Sequence, residues 1–212
     1  MKILAVGDSF TYGSDLEDRA NAWPCVLAKR LQAEVTNLGK AGGGNTQIVR
    51  NIVERATNYD LVVVGWSSPG RVEVGTMMGT FDVWPGWQGR PVDMFQPEFA
   101  KLITASHEPK YLFRQYLTNI ILTQHYLRSQ NIRYLMSTTQ GQTEYYYSTF
   151  KNTSQDLLDK IDYTRFIEWP ENGMAEWTFG LPKGASSHFL DEGHQQVAEK
   201  FYEYIGNLGW LP

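Results

Sequence analysis

Apolar residues in this chain fall into two patterns, short continuous runs and segments at helical spacing. The first run, Ile3-Leu4-Ala5-Val6, passes directly into Gly7-Asp8-Ser9-Phe10. That is the profile of a buried strand ending in a loop. Asn21 to Gln32 places Val26, Leu27 and Leu31 at helical spacing, with Pro24 near the start, where proline is tolerated. Glu34 to Leu38 reads as a second strand. It runs into the glycine-rich stretch Gly39-Lys40-Ala41-Gly42-Gly43-Gly44, which opens a helix reaching to about Thr57. Asp60 to Gly65, containing Leu61-Val62-Val63-Val64, is a third buried strand. Such strand–helix alternation predicts an α/β domain, a parallel sheet with helices on both faces.

From Trp66 to Pro109 the pattern breaks. Five prolines and many glycines leave no convincing periodicity, and a stretch of that length is usually functional or hides short elements. The expectation is one domain over residues 1–212 with a loop-rich insertion at about 66–110, whose Phe81, Trp84 and Trp87 roof a site or face a partner. A helix returns over Tyr111 to Gln130, and Asn131 to Ser137 reads as the fourth strand despite Arg133. Thr138 to Gly184 is again loop-rich, with a short helix around Leu157 to Ile161, and Gln195 to Ile205 closes the chain as a helix.

Composition narrows the function classes. A net charge of -4 and no basic patch argue against a nucleic-acid partner. The single cysteine, Cys25, excludes an internal disulfide and a cysteine-based zinc site. No apolar run approaches membrane-spanning length and no signal-peptide pattern opens the chain, so a cytoplasmic protein without a membrane partner is expected. The aromatic share of 14% falls largely outside the predicted elements, where such rings often serve binding surfaces.

Ligands of open α/β sheets gather at the carboxyl ends of the strands, which is where Ser9 stands. Asp8 and Ser9 are also ordinary helix-capping residues. The Gly42-Gly43-Gly44 run is not a P-loop, because the lysine precedes the glycines, and it does not follow the first strand as a dinucleotide fingerprint would. Glycines there suit a backbone N–H that approaches a reacting atom, or simply a flexible connection. At the end of the third strand, Gly65-Trp66-Ser67-Ser68-Pro69-Gly70-Arg71 gathers polar groups. His188 and His194 flank the entrance to the last helix.

Three of these blocks together resemble the SGNH, or GDSL-type, hydrolase superfamily. Gly7-Asp8-Ser9-Phe10 is similar to its nucleophile block, Gly44-Asn45 to its glycine block, and Gly65 to Ser68 stands where the family carries Gly-x-Asn-Asp. The resemblance implies a flavodoxin-like three-layer α/β/α fold and ester hydrolysis through a serine without metal or cofactor. It makes Ser9 the nucleophile, with the N–H groups of Ser9 and Gly44 as oxyanion donors.

Two departures follow. Ser67 replaces the family's asparagine donor, and loss of one such donor costs about 2.7–4 kcal/mol unless Ser67 or Arg71 substitutes. The Asp-x-x-His block admits two registers. The family's spacing makes His188 the base, with Ala185 where the orienting aspartate belongs and Asp191 as a helix cap. A literal match instead pairs Asp191 with His194. The expected function is therefore a serine esterase or deacetylase acting on a small-molecule or glycan ester. The alternative is a catalytically impaired module of the same fold that binds a glycan or protein partner, or a second copy, through its aromatic loops. A weak similarity of Trp66 to Arg71 to proteins of tailed bacteriophages adds a virion role to that alternative.

Overall fold

The structure, a computed structural model, describes residues 1–76, 79–83, 105, 108–140 and 142–211. Four parallel strands form the central sheet: β1 (Lys2–Gly7), β2 (Glu34–Asn37), β3 (Leu61–Trp66) and β6 (Arg133–Thr138). Their order is β2-β1-β3-β6, with Ile3 opposite both Val35 and Leu61, and Leu61 opposite Arg133. This is the flavodoxin-like order. A single parallel bridge from Met136 to Phe166 lies where that fold would add its fifth strand.

Alternation along the central strands sends successive side chains to opposite faces and so builds two cores. Leu4, Val6, Val62, Val64, Trp66 and Met136 pack with α3 (Asn45–Arg55) and α4 (Pro109–Ser129) through Ile48, Ile52, Phe113 and Ile120. Ile3, Ala5, Leu61, Val63 and Leu135 face α2 (Trp23–Arg30) and the closing helix α8 (Asp191–Asn207). There Trp23 stacks on Phe201 with ring centroids 4.6 Å apart. Burial on both faces explains why β1 and β3 read as continuous apolar runs.

The stretch read as an insertion contains an antiparallel hairpin, β4 (Val72–Thr76) and β5 (Gly79–Val83). Its pattern of Val72, Glu73 and Val74 is too short to stand out among the neighbouring glycines and prolines. Trp84, Trp87 and the side chain of Phe81 lie outside the described residues. The hairpin is tied down from both strands. Arg50 of α3 grips Glu73 with two hydrogen bonds of 2.7 Å, and Lys40 holds Asp82 at 2.8 Å.

A second difference concerns residues 138–184. Gln142–Phe150 forms a helix, α5, rather than a loop. Tyr145 is exposed while Tyr146 is buried against Phe113, so the tyrosine run has one core face. Short helices α6 (Gln155–Leu158) and α7 (Met174–Trp177) follow. Among the described residues no helix is long and apolar enough to cross a membrane.

Candidate active site

The nucleophile block folds as a tight turn at the carboxyl end of β1. Asp8 caps the four-residue helix α1 (Ser9–Tyr12), its Oδ1 accepting the Phe10 N–H at 3.0 Å and its carbonyl accepting those of Thr11 and Tyr12. The Ser9 N–H has no acceptor among the described residues. Two glycines make the turn fit. A β-carbon on Gly7 would lie 2.1 Å from Thr11 Oγ1, and one on Gly39 would lie 2.4 Å from the Tyr12 nitrogen. Asn37, at the end of β2, donates to the Thr11 carbonyl at 2.8 Å and accepts the Gly39 N–H at 2.9 Å. The turn that carries Ser9 is therefore held by its Asp8 cap and by the Asn37 side chain of β2.

Asp8 is wholly buried, and its Oδ2 collects donors from three segments. The Ser67 hydroxyl donates at 3.0 Å, Thr139 Oγ1 at 2.8 Å and Gln140 Nε2 at 3.0 Å, while Arg71 Nη1 lies 3.4 Å away. A buried carboxylate needs such partners, and here they lock the ends of β1, β3 and β6 together.

His188 sits in a loop folded back onto the residues just after α1. Its Nδ1 is 3.3 Å from Asp15 Oδ2. The same oxygen accepts the Ser186 N–H at 2.8 Å and the His188 N–H at 3.4 Å. Burial by itself pushes the Asp15 carboxyl up. The hydrogen bonds from Ser186 and His188 outweigh it and leave the carboxyl below its usual range. Both flanking turns adopt the left-handed region, Asp15 at φ 68° and Ser187 at φ 66°. Non-glycine residues rarely do so, and such conformations cluster at functional sites. Gly184 lets the segments meet, since a β-carbon there would lie 2.4 Å from Asp15 Cβ. Phe10 packs its ring 4.6 Å from that of His188, joining this loop to the residue next to Ser9.

Ser9, Asp15 and His188 all line one cleft of about 650 Å³, together with Tyr12, Arg19, Gly42, Arg71, Gln140 and Ser186. Arg19 lies over the Tyr12 ring at 4.0 Å. With Nδ1 turned to Asp15, Nε2 is the second nitrogen of the imidazole. The carboxyl group beside His188 is thus that of Asp15 and not of a residue near position 185, and it stands 173 residues from His188 in sequence. Its one local signal is its nearness to Ser9, which by itself says nothing about histidine.

The other candidate residues go elsewhere. His194 is wholly buried, with Nδ1 accepting the Trp23 N–H at 3.1 Å and Nε2 without a partner among the described residues. Burial, reinforced by the charge of His188, lowers its pKa to about 3. Asp191 is exposed in the first turn of α8, whose cap is Leu190, so it neither caps the helix nor meets His194. Asn45 clamps the end of β3 by accepting the Ser67 N–H and donating to the carbonyls of Ser67 and Ser68. Ser67 is buried with its hydroxyl given to Asp8, and the Gly44 N–H donates to Asp82 Oδ1 at 2.9 Å. Neither lines the cleft. Among the described residues no cluster of three or more His, Cys, Asp or Glu could hold a metal ion.

A family model described as a family of unknown function (DUF6071) matches residues 11–209. The chain belongs to that family. No curated protein matches it in sequence. Solved structures do share its fold. A member of the lipolytic protein G-D-S-L family from Veillonella parvula superposes with a TM-score of 0.53 at 14% identity, covering 96% of this chain and 97% of that one. The psychrotrophic esterase EstA from Pseudoalteromonas reaches 0.59 at 11% identity, with coverage of 98% and 97%. A family two carbohydrate esterase from Clostridium thermocellum reaches 0.58 at 17% identity, covering 99% of this chain and 65% of that one. This DUF6071 chain therefore has the α/β/α fold of the SGNH hydrolases.

Proposed function

We propose that this protein is a serine-dependent hydrolase of carboxylic esters, with acylated carbohydrate as its substrate class. The observation that carries the reading is the Asp15–His188 pair on the wall of the cleft that Ser9 also lines. In this reading His188 Nε2 takes the Ser9 proton as Oγ bonds to the ester carbonyl carbon, and the carbonyl electron pair moves onto oxygen. Asp15 holds the imidazole in its Nδ1–H tautomer and stabilises the imidazolium that forms. Collapse of the tetrahedral adduct expels the alcohol with the proton returned by His188. A water activated by the same nitrogen then frees the acid and regenerates Ser9.

The glycan preference rests on the lining of the cleft. Ser14, Asp15, Arg19, Gln140, Ser186 and Ser187 bring polar groups to a lining that also holds Phe10, Leu16 and Ala175. A mixed lining of this kind suits a sugar, which carries hydroxyls at its edges and C–H groups on its faces. The carbohydrate esterases among the proteins of the same fold support this class.

One observation favours the second reading, a binding module with impaired catalysis. The Gly44 N–H and the Ser67 hydroxyl are both engaged away from the cleft. Hydrolysis of p-nitrophenyl acetate and of an acetylated xylo-oligosaccharide by the wild type, Ser9→Ala and His188→Ala separates the two. The hydrolase reading expects turnover lost by orders of magnitude in both variants with melting temperatures near the wild type. Wild-type turnover no higher than that of Ser9→Ala leaves only the binding module.

A further inference from the structure

A second cavity, of about 300 Å³, opens at the other edge of the sheet. Arg133 lines it and begins β6, a strand of six residues that spans about 20 Å at about 3.3 Å per residue. The cavity therefore lies a strand's length from the carboxyl edge that carries Ser9. Arg128 contributes from the last turn of α4, Asp162 and Arg165 from the turn at 162–165, and Trp210 from the segment after α8. The Arg165 guanidinium lies 4.7 Å from the centre of the Trp210 ring, and that of Arg133 lies 5.7 Å from it. The carboxylate of the lining, Asp162, is 3.9 Å from Arg128, and its Oδ1 already accepts the N–H and the hydroxyl of Thr164. Three arginines against one carboxylate leave two positive charges around the cavity. Two donors of the lining residues, Arg165 Nη1 and the hydroxyl of Tyr134, are buried with no partner among the described residues. Each carries the full desolvation cost of a polar group without an acceptor to offset it.

We propose that this cavity binds the phosphate group of a small soluble molecule, free phosphate or a phosphomonoester, through Arg133, Arg165 and Tyr134. Charge is the first reason. A phosphomonoester carries about -1.5 to -2 near neutral pH, which balances the two surplus positive charges, whereas a single carboxylate leaves one of them over. Geometry is the second. A guanidinium whose face rests on an indole is held in place without being neutralised, and its N–H fork stays in the plane for oxygen atoms. Arg133 and Arg165 share one indole, so their forks are brought to one place, and a phosphate has oxygens enough for both. The third reason is the pair of unpartnered donors, because a phosphate supplies acceptors that the described chain does not. Tyr134 is 3% exposed, and burial first, then the charge of Asp162, pushes its pKa up to about 12 against the opposing pull of Arg128 and Arg165. Its hydroxyl therefore keeps its proton at neutral pH and stands in the field of the charged groups that line the cavity.

The test is calorimetric titration of the full chain with inorganic phosphate and with glycerol 3-phosphate at pH 8 and constant ionic strength. The wild type should bind at least one of them with a Kd of about 1 mM or tighter, and at ten times that concentration its melting temperature should rise by about 3–6 °C. Phosphate also stabilises folded proteins in general, so the readout is the difference from a variant and not the rise alone. Arg133→Gln combined with Arg165→Gln should weaken Kd at least tenfold and remove the specific part of the rise. Lys29→Gln combined with Lys151→Gln makes the same change of charge elsewhere and should leave Kd within twofold of the wild type. Tyr134→Phe should weaken Kd about threefold or more while its melting temperature without phosphate stays at or above that of the wild type, since its hydroxyl gives up no partner. If the double arginine variant does not fold, Arg133→Gln, Arg165→Gln and Tyr134→Phe carry the comparison singly. Arginines that merely pack on Trp210 would lower the melting temperature equally with and without phosphate and leave Kd unchanged, which overturns the proposal. So does a wild type that binds neither soluble probe, even if it is retained on vesicles containing phosphatidic acid. No ester enters these measurements, so their outcome is independent of whether the cleft is a hydrolase.

Discussion

The two histidine registers make opposite demands on His194, and pH separates them. In the structure its ring is wholly buried, and Nδ1 accepts the Trp23 N–H. Burial disfavours the charged ring, and the charge of His188 adds to the effect, which is why the pKa falls to about 3. The sign follows from proton counting. Below the unfolded value of about 6.5 the unfolded chain binds a proton that the folded chain refuses, so stability falls as pH falls. From neutral pH to about pH 3 the loss amounts to about 5 kcal/mol, at about 1.4 kcal/mol per pH unit. Since a domain's whole stability is about 5–15 kcal/mol, this one ring is a leading cause of acid unfolding. His194→Asn is the matching control, because the amide oxygen can still accept the Trp23 N–H and nothing titrates. It should cost about 1–3 kcal/mol at pH 7 through the smaller side chain. Urea denaturation between pH 7.5 and 5, above most of the carboxylate range, should show the wild type losing about 2 kcal/mol more than the variant. Parallel stability curves would refute the buried neutral imidazole. Ester turnover by the variant at pH 7.5 should remain near the wild type, and its collapse would restore His194 as a base.

Further expectations concern how the cleft is held. Asp15→Asn should lower kcat by up to about 10⁴-fold, by analogy with loss of the acid in a serine triad, with little change in KM; a kcat within tenfold would show that the 3.3 Å contact is incidental. Gly184→Ala puts a methyl 2.4 Å from Asp15 Cβ, so it should cost about 1–3 kcal/mol and lower kcat at least tenfold. Urea midpoints and steady-state rates on the same preparation check both parts. Gly39→Ala strikes the backbone of the nucleophile turn at the Tyr12 nitrogen and should lower the melting temperature more than Gly180→Ala. At Gly180 a β-carbon meets nothing within 4 Å and only the φ of 81° opposes it.

Local pattern determined much of this protein. Continuous burial of Ile3 to Val6 and Leu61 to Val64 marks strands covered on both faces. The glycine and small polar residues after β1 place Ser9 at the sheet's carboxyl edge. These features are legible because each is set by a few neighbours in sequence and by the two-residue period of a strand. The hairpin over 72–83 and the helix over 142–150 were not. The first is short and set among glycines, and the second draws its stability from burying Tyr146 against Phe113 rather than from its own residues. The site's chemistry was decided at longer range still. Whether His188 or His194 can carry a proton depends on which ring the fold buries behind Trp23. The carboxyl group that meets His188 comes from the other end of the chain, because the 184–188 turn folds over Asp15. Which donors face the cleft depends on Asp8 taking the Ser67 hydroxyl and Asp82 taking the Gly44 N–H. Hydrogen bonds and desolvation act through space between segments more than a hundred residues apart in places. No spacing along the chain encodes them, and only the folded arrangement assigns each group its work.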